Sequence, residues 1–517
     1  MPNSPGVYPR EIDLSQYAAR FASSVVGMVG PATRGPMNEA TYVTNQEQFV
    51  STFGAPMTGV GAVPYATHAG IQFLREGSQL WFVRIESGSN AAVASSANVL
   101  DSNAGVVFSA AAATAGTWGN YTTSGTFVDG LQVTITDPLD STYNSTRFRL
   151  IVVFKGQQVE SFDNLTWASS SDANYFTTRV NGVSQYLTLA VGGASNKPAN
   201  TTYNLSGGTN GTTGLADADY IGTATSVART GLQIFEDKDL AEINILAIPG
   251  ASRTVMQAGV AMAELRQDCM MLIDPPVGMT SVAAVRNWAN GTDGSGNSFN
   301  SSFAAVYWPW IEYFDNYSGQ YVWTPPSGWI AGVVALTDKV AEPWFAPAGL
   351  VRGILKTANR IEYSPTFGER ELLANPGEIV NPIVKKAGYG IVVWGQHTAQ
   401  RITSALDRIN VRRMLILAEK TIAKSIEFLV FEPNDPVTWR RFTNIVNPVL
   451  ASIQARRGLE QFQVICDAST NTNLLRDQNT MRGILLLKPT KTAEVINLDF
   501  VLTSAGASFS EVLSSVA

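Results

Sequence analysis

Apolar residues fall into distinct spacings along this chain, and each spacing predicts a different element. Predominantly apolar runs at 24–29, 80–85, 243–248 and 270–273 read as buried strands, because a strand covered on both faces has no polar side. The run 304–313 reads the same way, as one longer strand. Helical patterns mark 45–53 and 64–76, closed by Gly54 and Gly77, and again 253–267 and 282–288. Ser327 is placed to cap the helix that carries 330–340. From 219 to 380 strands and helices alternate, a βαβ rhythm that predicts a mixed or parallel sheet with covering helices.

Further along, Val411, Leu415, Ala418, Ile422, Ile426 and Leu429 repeat at helical steps and predict one buried stripe, with Asn410 as the cap. Asp435-Pro436 opens the next helix as cap and first-turn proline, and Gly458 after Arg456-Arg457 stops it. Pro448 lies inside, which predicts a kink or two helices. Strands are expected at 462–466, 483–487 and 495–502.

Composition shifts between 98 and 218, where Ala, Ser, Thr, Asn and Gly dominate and charges are few. Alternating runs at 131–136 and 147–154, with Asn-Gly at 181–182 and 210–211, predict an inserted, surface-facing β domain. Pro2, Pro5 and Pro9 make 1–20 an extended arm. The expected fold is a multidomain α/β (α+β) chain. Its parts are an N-terminal arm (1–20), an α/β segment (21–97), the inserted domain (98–218), a middle α/β domain (219–380), a C-terminal domain (381–504) and a C-terminal arm (505–517).

A length of 517 residues, 45% hydrophobic with 11 Trp, allows a large packed core. A net charge of −6 argues against general nucleic-acid binding. Cys269 and Cys466 sit in apolar runs and are expected as buried free thiols. The opening MPNSPGVYPREID lacks the apolar stretch of a signal peptide, and no run of 18 apolar residues exists, so folding in the cytoplasm without a membrane span is expected.

Candidate chemistry is sparse. The two histidines, His68 and His397, cannot supply a zinc site, and no GxSxG elbow accompanies them. Neither a GxxxxGK[ST] loop nor a GxGxxG after a strand occurs. No cofactor, metal or catalytic residue is therefore expected. The carboxylates Glu312 with Asp315, and Asp237 with Asp239, read as solvated loop charges. Tyr307-Trp308-Pro309-Trp310 could be a sugar platform but fits buried packing better. Arg412, Arg413, Lys420 and Lys424 give the 411–429 helix a basic side, which is either an ordinary solvated face or a contact for an acidic partner.

Several segments in fixed order carry more. SPGVYPREID (4–13), VGPATRGP (29–36), FVSTFG (49–54), GTWGN (116–120), FEDKDLAEINILAIPGA (235–251), YWPWIEYFDN (307–316), PPSGWIAGVVALTD (325–338), FAPAG (345–349), WGQHT (394–398), INVRR (409–413) and FEPNDPVTW (431–439) together resemble the tail sheath proteins of contractile bacteriophages and related injection machines. The likeness covers 1–97 and 219–517; one departure is the stretch 375–381, where the family often carries Gly-Ile-Asn.

The resemblance implies a structural, non-enzymatic subunit, completed in its C-terminal sheath domain by the N-terminal segment. Such subunits form hexameric rings stacked helically around a tail tube protein, with baseplate and tail terminator proteins as further partners. The assembly is part of the virion, is built in the host cytoplasm, and contracts from a metastable extended state without nucleic-acid or membrane partners. Terminal arms are implied to add strands to neighbouring copies. Pro5, Gly6, Val7, Tyr8, Ile12 and Leu14 at one end, and Ser508, Phe509, Ser510, Glu511, Val512 and Leu513 at the other, suit that role, since apolar side chains on a detached arm need burial elsewhere. Arg412, Arg413, Lys420 and Lys424 are the expected tube-facing set. The rival readings are a secreted surface-layer or adhesin-type protein and, more remotely, a glycosidase.

Overall fold

Eight strands drawn from separate stretches of chain form the central sheet. The computed structural model describes residues 23–56, 65–125, 127–225, 228–294 and 296–496. In chain order the sheet strands are β1 (Val26–Gly30), β2 (Ala40–Val43), β3 (Leu80–Arg84), β4 (Ile245–Ala247), β5 (Met270–Ile273), β6 (Ala304–Trp308), β7 (Val380–Lys386) and β8 (Gly390–Val393). Their spatial order is β2-β3-β1-β4-β5-β6-β7-β8. The interior pairs are parallel, and only β2 on β3 and β8 on β7 run antiparallel.

Parallel strands of this kind are covered on both faces. Ile245 and Ala247 of β4, with Met270 and Leu272 of β5, point into one core, shared with Phe49, Phe73 and Trp329. Their neighbours Leu246, Met271 and Ile273 point into the other, with Val255, Met262 and Trp288. Helices α1 (Gln46–Phe53), α2 (Tyr65–Phe73) and α5 (Ser327–Val340) thus cover the first face, and α3 (Arg253–Arg266) and α4 (Val282–Asn290) the second. Close approach sets α2: a Cβ on Gly30 would stand 2.3 Å from that of Ala66, and one on Gly328 2.6 Å from the Ala69 Cα.

Several expectations are corrected here. The segment 21–97 supplies three strands of this sheet, and a domain boundary at 381 would cut through β7. The run 304–313 is two strands: β6 ends at Trp308, Pro309 has no amide hydrogen to extend the ladder, and Ile311–Asp315 joins a separate antiparallel sheet with Gln320–Thr324 and Ala358–Ile361. Ser327 is the first residue of α5, and its amide and hydroxyl donate to Asp274 at 2.8 and 2.6 Å, so the capping acceptor comes from another segment.

Between β3 and β4 the chain builds antiparallel sheets around their own core, in which Phe108 stacks on Phe148 and Phe176 with ring centroids 5.9 and 4.8 Å apart. Arg84, buried at the end of β3, joins this part to the central sheet by donating to the Gly35 and Ala115 carbonyls at 2.9 and 2.7 Å. Arg34 lies 4.2 Å from the Trp118 ring centroid at the same junction.

The C-terminal unit comprises α6 (Ile409–Ile426), α7 (Pro436–Ala455) and a hairpin of β9 (Leu459–Ile465) and β10 (Ile484–Pro489). Val411, Met414, Ala418 and Ile422 of α6 face Phe442, Val446 and Leu450 of α7. Asp435 caps α7 as expected, accepting from the amides of Val437 and Thr438. Pro448 does not divide α7: it lies on the solvent side, so the Asn444 carbonyl it leaves unpaired can be hydrated. Asn410 is not the cap of α6 but sits in its first turn, donating to the Trp344 carbonyl at 3.2 Å. The strand expected at 495–502 lies mostly outside the described residues. Among those described, no helix is long and apolar enough to cross a membrane.

Candidate assembly surfaces

The hairpin β9/β10 lies at the surface of the C-terminal unit, with one face exposed. Its residues alternate. Phe462, Val464, Leu485 and Leu487 pack toward α7, while Gln461, Gln463, Leu486 and Lys488 point outward. The ladder pairs Phe462 with Leu487 and Ile465 with Ile484, and the sheet has only two strands among the described residues. Each strand therefore presents a row of backbone donors and acceptors along its outer edge, beside a shallow groove that includes Gln454, Gln463, Leu486 and Lys488. The arm residues expected to use such edges, Pro5 to Leu14 and Ser508 to Leu513, lie outside the described residues.

The basic side of α6 is different from its sequence reading. Arg412 and Arg413 are only 5% and 7% exposed. Arg413 donates to Asp338 at 2.6 Å and to the carbonyls of Pro343 and Ser23, while Asp338 also accepts from the Ser23 hydroxyl at 2.7 Å. Arg412 lies over the Phe303 ring at 4.0 Å and bonds Ser302. Lys420 reaches Asp268 at 3.2 Å and the Ile243 carbonyl at 2.6 Å; Asp268 is itself gripped by the buried Arg266. Burial lowers the pKa values of both Arg412 and Lys420. Only Lys424, paired with Glu427 at 3.0 Å, is mostly exposed. The expected solvated basic face is thus corrected: three of its four cations dock α6 against α5 and the segments that lead into the strands of the central sheet.

The remaining polar candidates serve packing. His68 is buried, its Nδ1 2.8 Å from the Tyr313 hydroxyl. His397 is half-buried, and burial together with Arg408 lowers its pKa. Trp308 and Trp310 are buried, donating to the Met279 and Pro275 carbonyls at 2.8 and 2.7 Å, so no face is left for a sugar. Glu312 and Asp315 are not loop charges: both are buried on one strand. Glu312 accepts both arms of Arg360 at 2.7 Å, which holds its pKa down, and Asp315 caps the turn at Ser318. Cys269 and Cys466 are buried and unpaired, and burial raises the Cys269 thiol to about 12. Among the described residues no group of His, Cys, Asp or Glu could hold a metal.

Sequence reasoning missed the acidic partners Asp338, Asp268 and Glu494, because each meets its cation across more than 70 residues of chain. It also missed Phe431, fully exposed at φ 74° between α6 and α7.

The candidate residues named from the sequence are thus engaged in packing, and the open backbone of the C-terminal unit among the described residues lies along the β9/β10 edges. Residues 228–399 match the phage tail sheath protein central domain and 402–503 the phage tail sheath C-terminal domain, together more than half of the sequence. The chain belongs to the phage tail sheath family. The tail sheath protein of Vibrio phage KVP40 is 30% identical over 400 residues, covering 72% of this chain and 57% of that protein. The tail sheath protein of Enterobacteria phage T4 is 32% identical over 269 residues, covering 50% and 40%. The chain thus spans about half the length of the curated relatives it matches. Solved structures share the fold. A sheath tail protein from Listeria innocua superposes with TM-score 0.59 at 11% identity, covering 86% of this chain and 89% of that one. The sheath complex of an extracellular contractile injection system in its contracted state gives 0.55 at 15%, covering 97% and 98%. A secreted surface-layer protein finds no support among these relatives.

Proposed function

We propose that this chain is a structural, non-enzymatic subunit of a contractile tail sheath, stacked in helical hexameric rings around a tail tube. The sheath extends between baseplate and terminator proteins in a virion assembled in the host cytoplasm, and contracts to drive the tube through a bacterial envelope. In this reading the β-rich part between β3 and β4 faces outward, and the C-terminal unit lines the tube.

The observation that supports the reading is the pair of edges on β9/β10 left open among the described residues, in a chain whose sequence at 1–20 and 505–517 carries apolar residues suited to arms. An arm laid along such an edge satisfies its backbone groups and buries its alternate side chains. About six ladder bonds at about 0.5–1.5 kcal/mol each give a link of several kcal/mol, against about 0–1 kcal/mol for an exposed ion pair. Arm links therefore persist through contraction while outer side-chain contacts exchange.

Deleting residues 1–14 tests this. The truncated protein keeps its melting temperature and forms no sheaths in negative-stain micrographs, with or without tube protein. Striated cylinders from the truncated chain would remove the arms from the account.

A further inference from the structure

The last described residues, beyond β10, do not simply trail from the hairpin. After Pro489 the chain returns to the central sheet, where Glu494 lies against Arg408, the residue that opens α6. Arg408 grips Glu494 with both arms: Nε donates to Oε1 at 2.8 Å and an Nη to Oε2 at 2.9 Å. Gln396, only 4% exposed just beyond β8, donates to the Thr492 hydroxyl and to Glu494 Oε1, each at 2.9 Å. Arg408 is steadied in turn by Asp407 at 3.2 Å and by His397 Nδ1 at 3.3 Å. The two residues that follow Glu494, Val495 and Ile496, are exposed, so apolar packing does not hold this strap down.

We propose that Arg408, Gln396 and Glu494 form a clamp that fixes where the C-terminal arm leaves the subunit, so that the arm is presented to a neighbouring copy along a set line instead of as a free tether. The inference rests on the sheath reading and adds to it the residues that govern arm presentation. The reasoning is that of effective concentration. An arm rooted at a fixed point samples far fewer directions, so less ordering remains to be done when it meets a neighbour's strand edge. Releasing Thr490 to Glu494 would lengthen the tether back to the end of β10 and dilute the arm at its target.

The test uses the full chain with Glu494→Lys, which sets two cations against each other, and the double variant Arg408→Glu with Glu494→Lys, which restores the pair with its signs exchanged. A glutamate at position 408 also suits the positive end of α6, so the double variant folds. Hydrogen exchange of the 490–496 amides in the dilute subunit reads the clamp, and the critical concentration for sheath formation reads presentation. The single variant is expected to exchange faster in that segment, with an unchanged melting temperature and a critical concentration higher by about tenfold, the shift that about one charge-assisted link represents. The double variant returns both readings toward those of the parent. Unchanged exchange in the single variant overturns the clamp, and so does faster exchange with an unchanged critical concentration. Failure of the parent chain to polymerise even with tube protein would instead sink the sheath reading, and the presentation role with it.

Discussion

Helix α6 is fastened to α5, one of the helices that cover the central sheet, by a buried ion pair whose removal has a calculable effect. Arg413 and Asp338 have side chains 6% and 7% exposed and meet at 2.6 Å. Replacing Asp338 by Leu leaves a guanidinium in a dry site with only the Pro343 and Ser23 carbonyls to bond. Breaking such a pair from one side costs about 3–5 kcal/mol, because the other charge stays buried. Replacing both partners with apolar residues of similar volume, as in D338L/R413M, is close to neutral. The assay is hydrogen exchange along α6, which reports local opening without requiring the whole chain to unfold in two states. D338L should speed exchange of the 409–426 amides by about 10²- to 10⁴-fold, and the double variant should return most of that protection. Exchange in D338L within threefold of the parent, or a double variant as fast as the two single effects combined, would refute the idea that a desolvated pair docks this helix.

Asp274 gives a pH signature. Burial raises its carboxyl to about 7, despite the hydrogen bonds from Ser327. A raised folded-state pKa means its contribution to stability is full below the unfolded value of 3.8 and is lost as pH rises through about 7. D274N should flatten that decline, a difference of a few kcal/mol at most in urea midpoints across this range. Gly328→Ala should lower the melting temperature, since its Cβ would fall 2.6 Å from the Ala69 Cα and 2.7 Å from the Ala69 carbonyl oxygen; the overpacking cost of about 1–3 kcal/mol exceeds the helix-propensity gain of about 1 kcal/mol. Gly368→Ala, with open space in the helix Phe367–Leu373, should raise it slightly. Lys420→Glu faces Asp268 and should destabilise by several kcal/mol, whereas Lys424→Glu, on the exposed side, should stay within about 0.5 kcal/mol in the same melt.

Local order was legible where a single stretch of chain decides it. The strand Leu131–Thr136, the helix Arg253–Arg266, and Asp435-Pro436 at the start of α7 all follow from periodicity and capping chemistry. What failed depended on distant partners. Ser327 looks like a cap until Asp274 takes that role from 53 residues away. The arginines and lysines of α6 look solvated on a helical wheel, since no local pattern reveals that Ser302, Asp338 and Asp268 wait opposite them. Pro309 was legible as a residue but not as a sheet boundary, because an apolar run on either side hides the change of partner. The open edges of β9/β10 were likewise invisible, since a sequence states where a strand lies and not whether its far side is occupied.

The order of strengths within the molecule bears on how such a subunit works. The links that dock α6 are desolvated and charge-assisted, and α7 and the hairpin follow α6 through a shared apolar core from Trp344 to Cys466. Breaking one of them costs about as much as an entire arm-to-edge ladder contributes. Ion pairs at the surface, such as Lys155 with Asp129 or Lys488 with Glu460, contribute at most about 1 kcal/mol and weaken with salt. In the assembly we propose, a rearrangement between copies therefore finds its least resistance in surface contacts, then in the proposed arm links, and last in the docking of the C-terminal unit. A subunit graded in this way can exchange neighbours without losing either its fold or its thread to the next copy, which is what a sheath that shortens without falling apart requires.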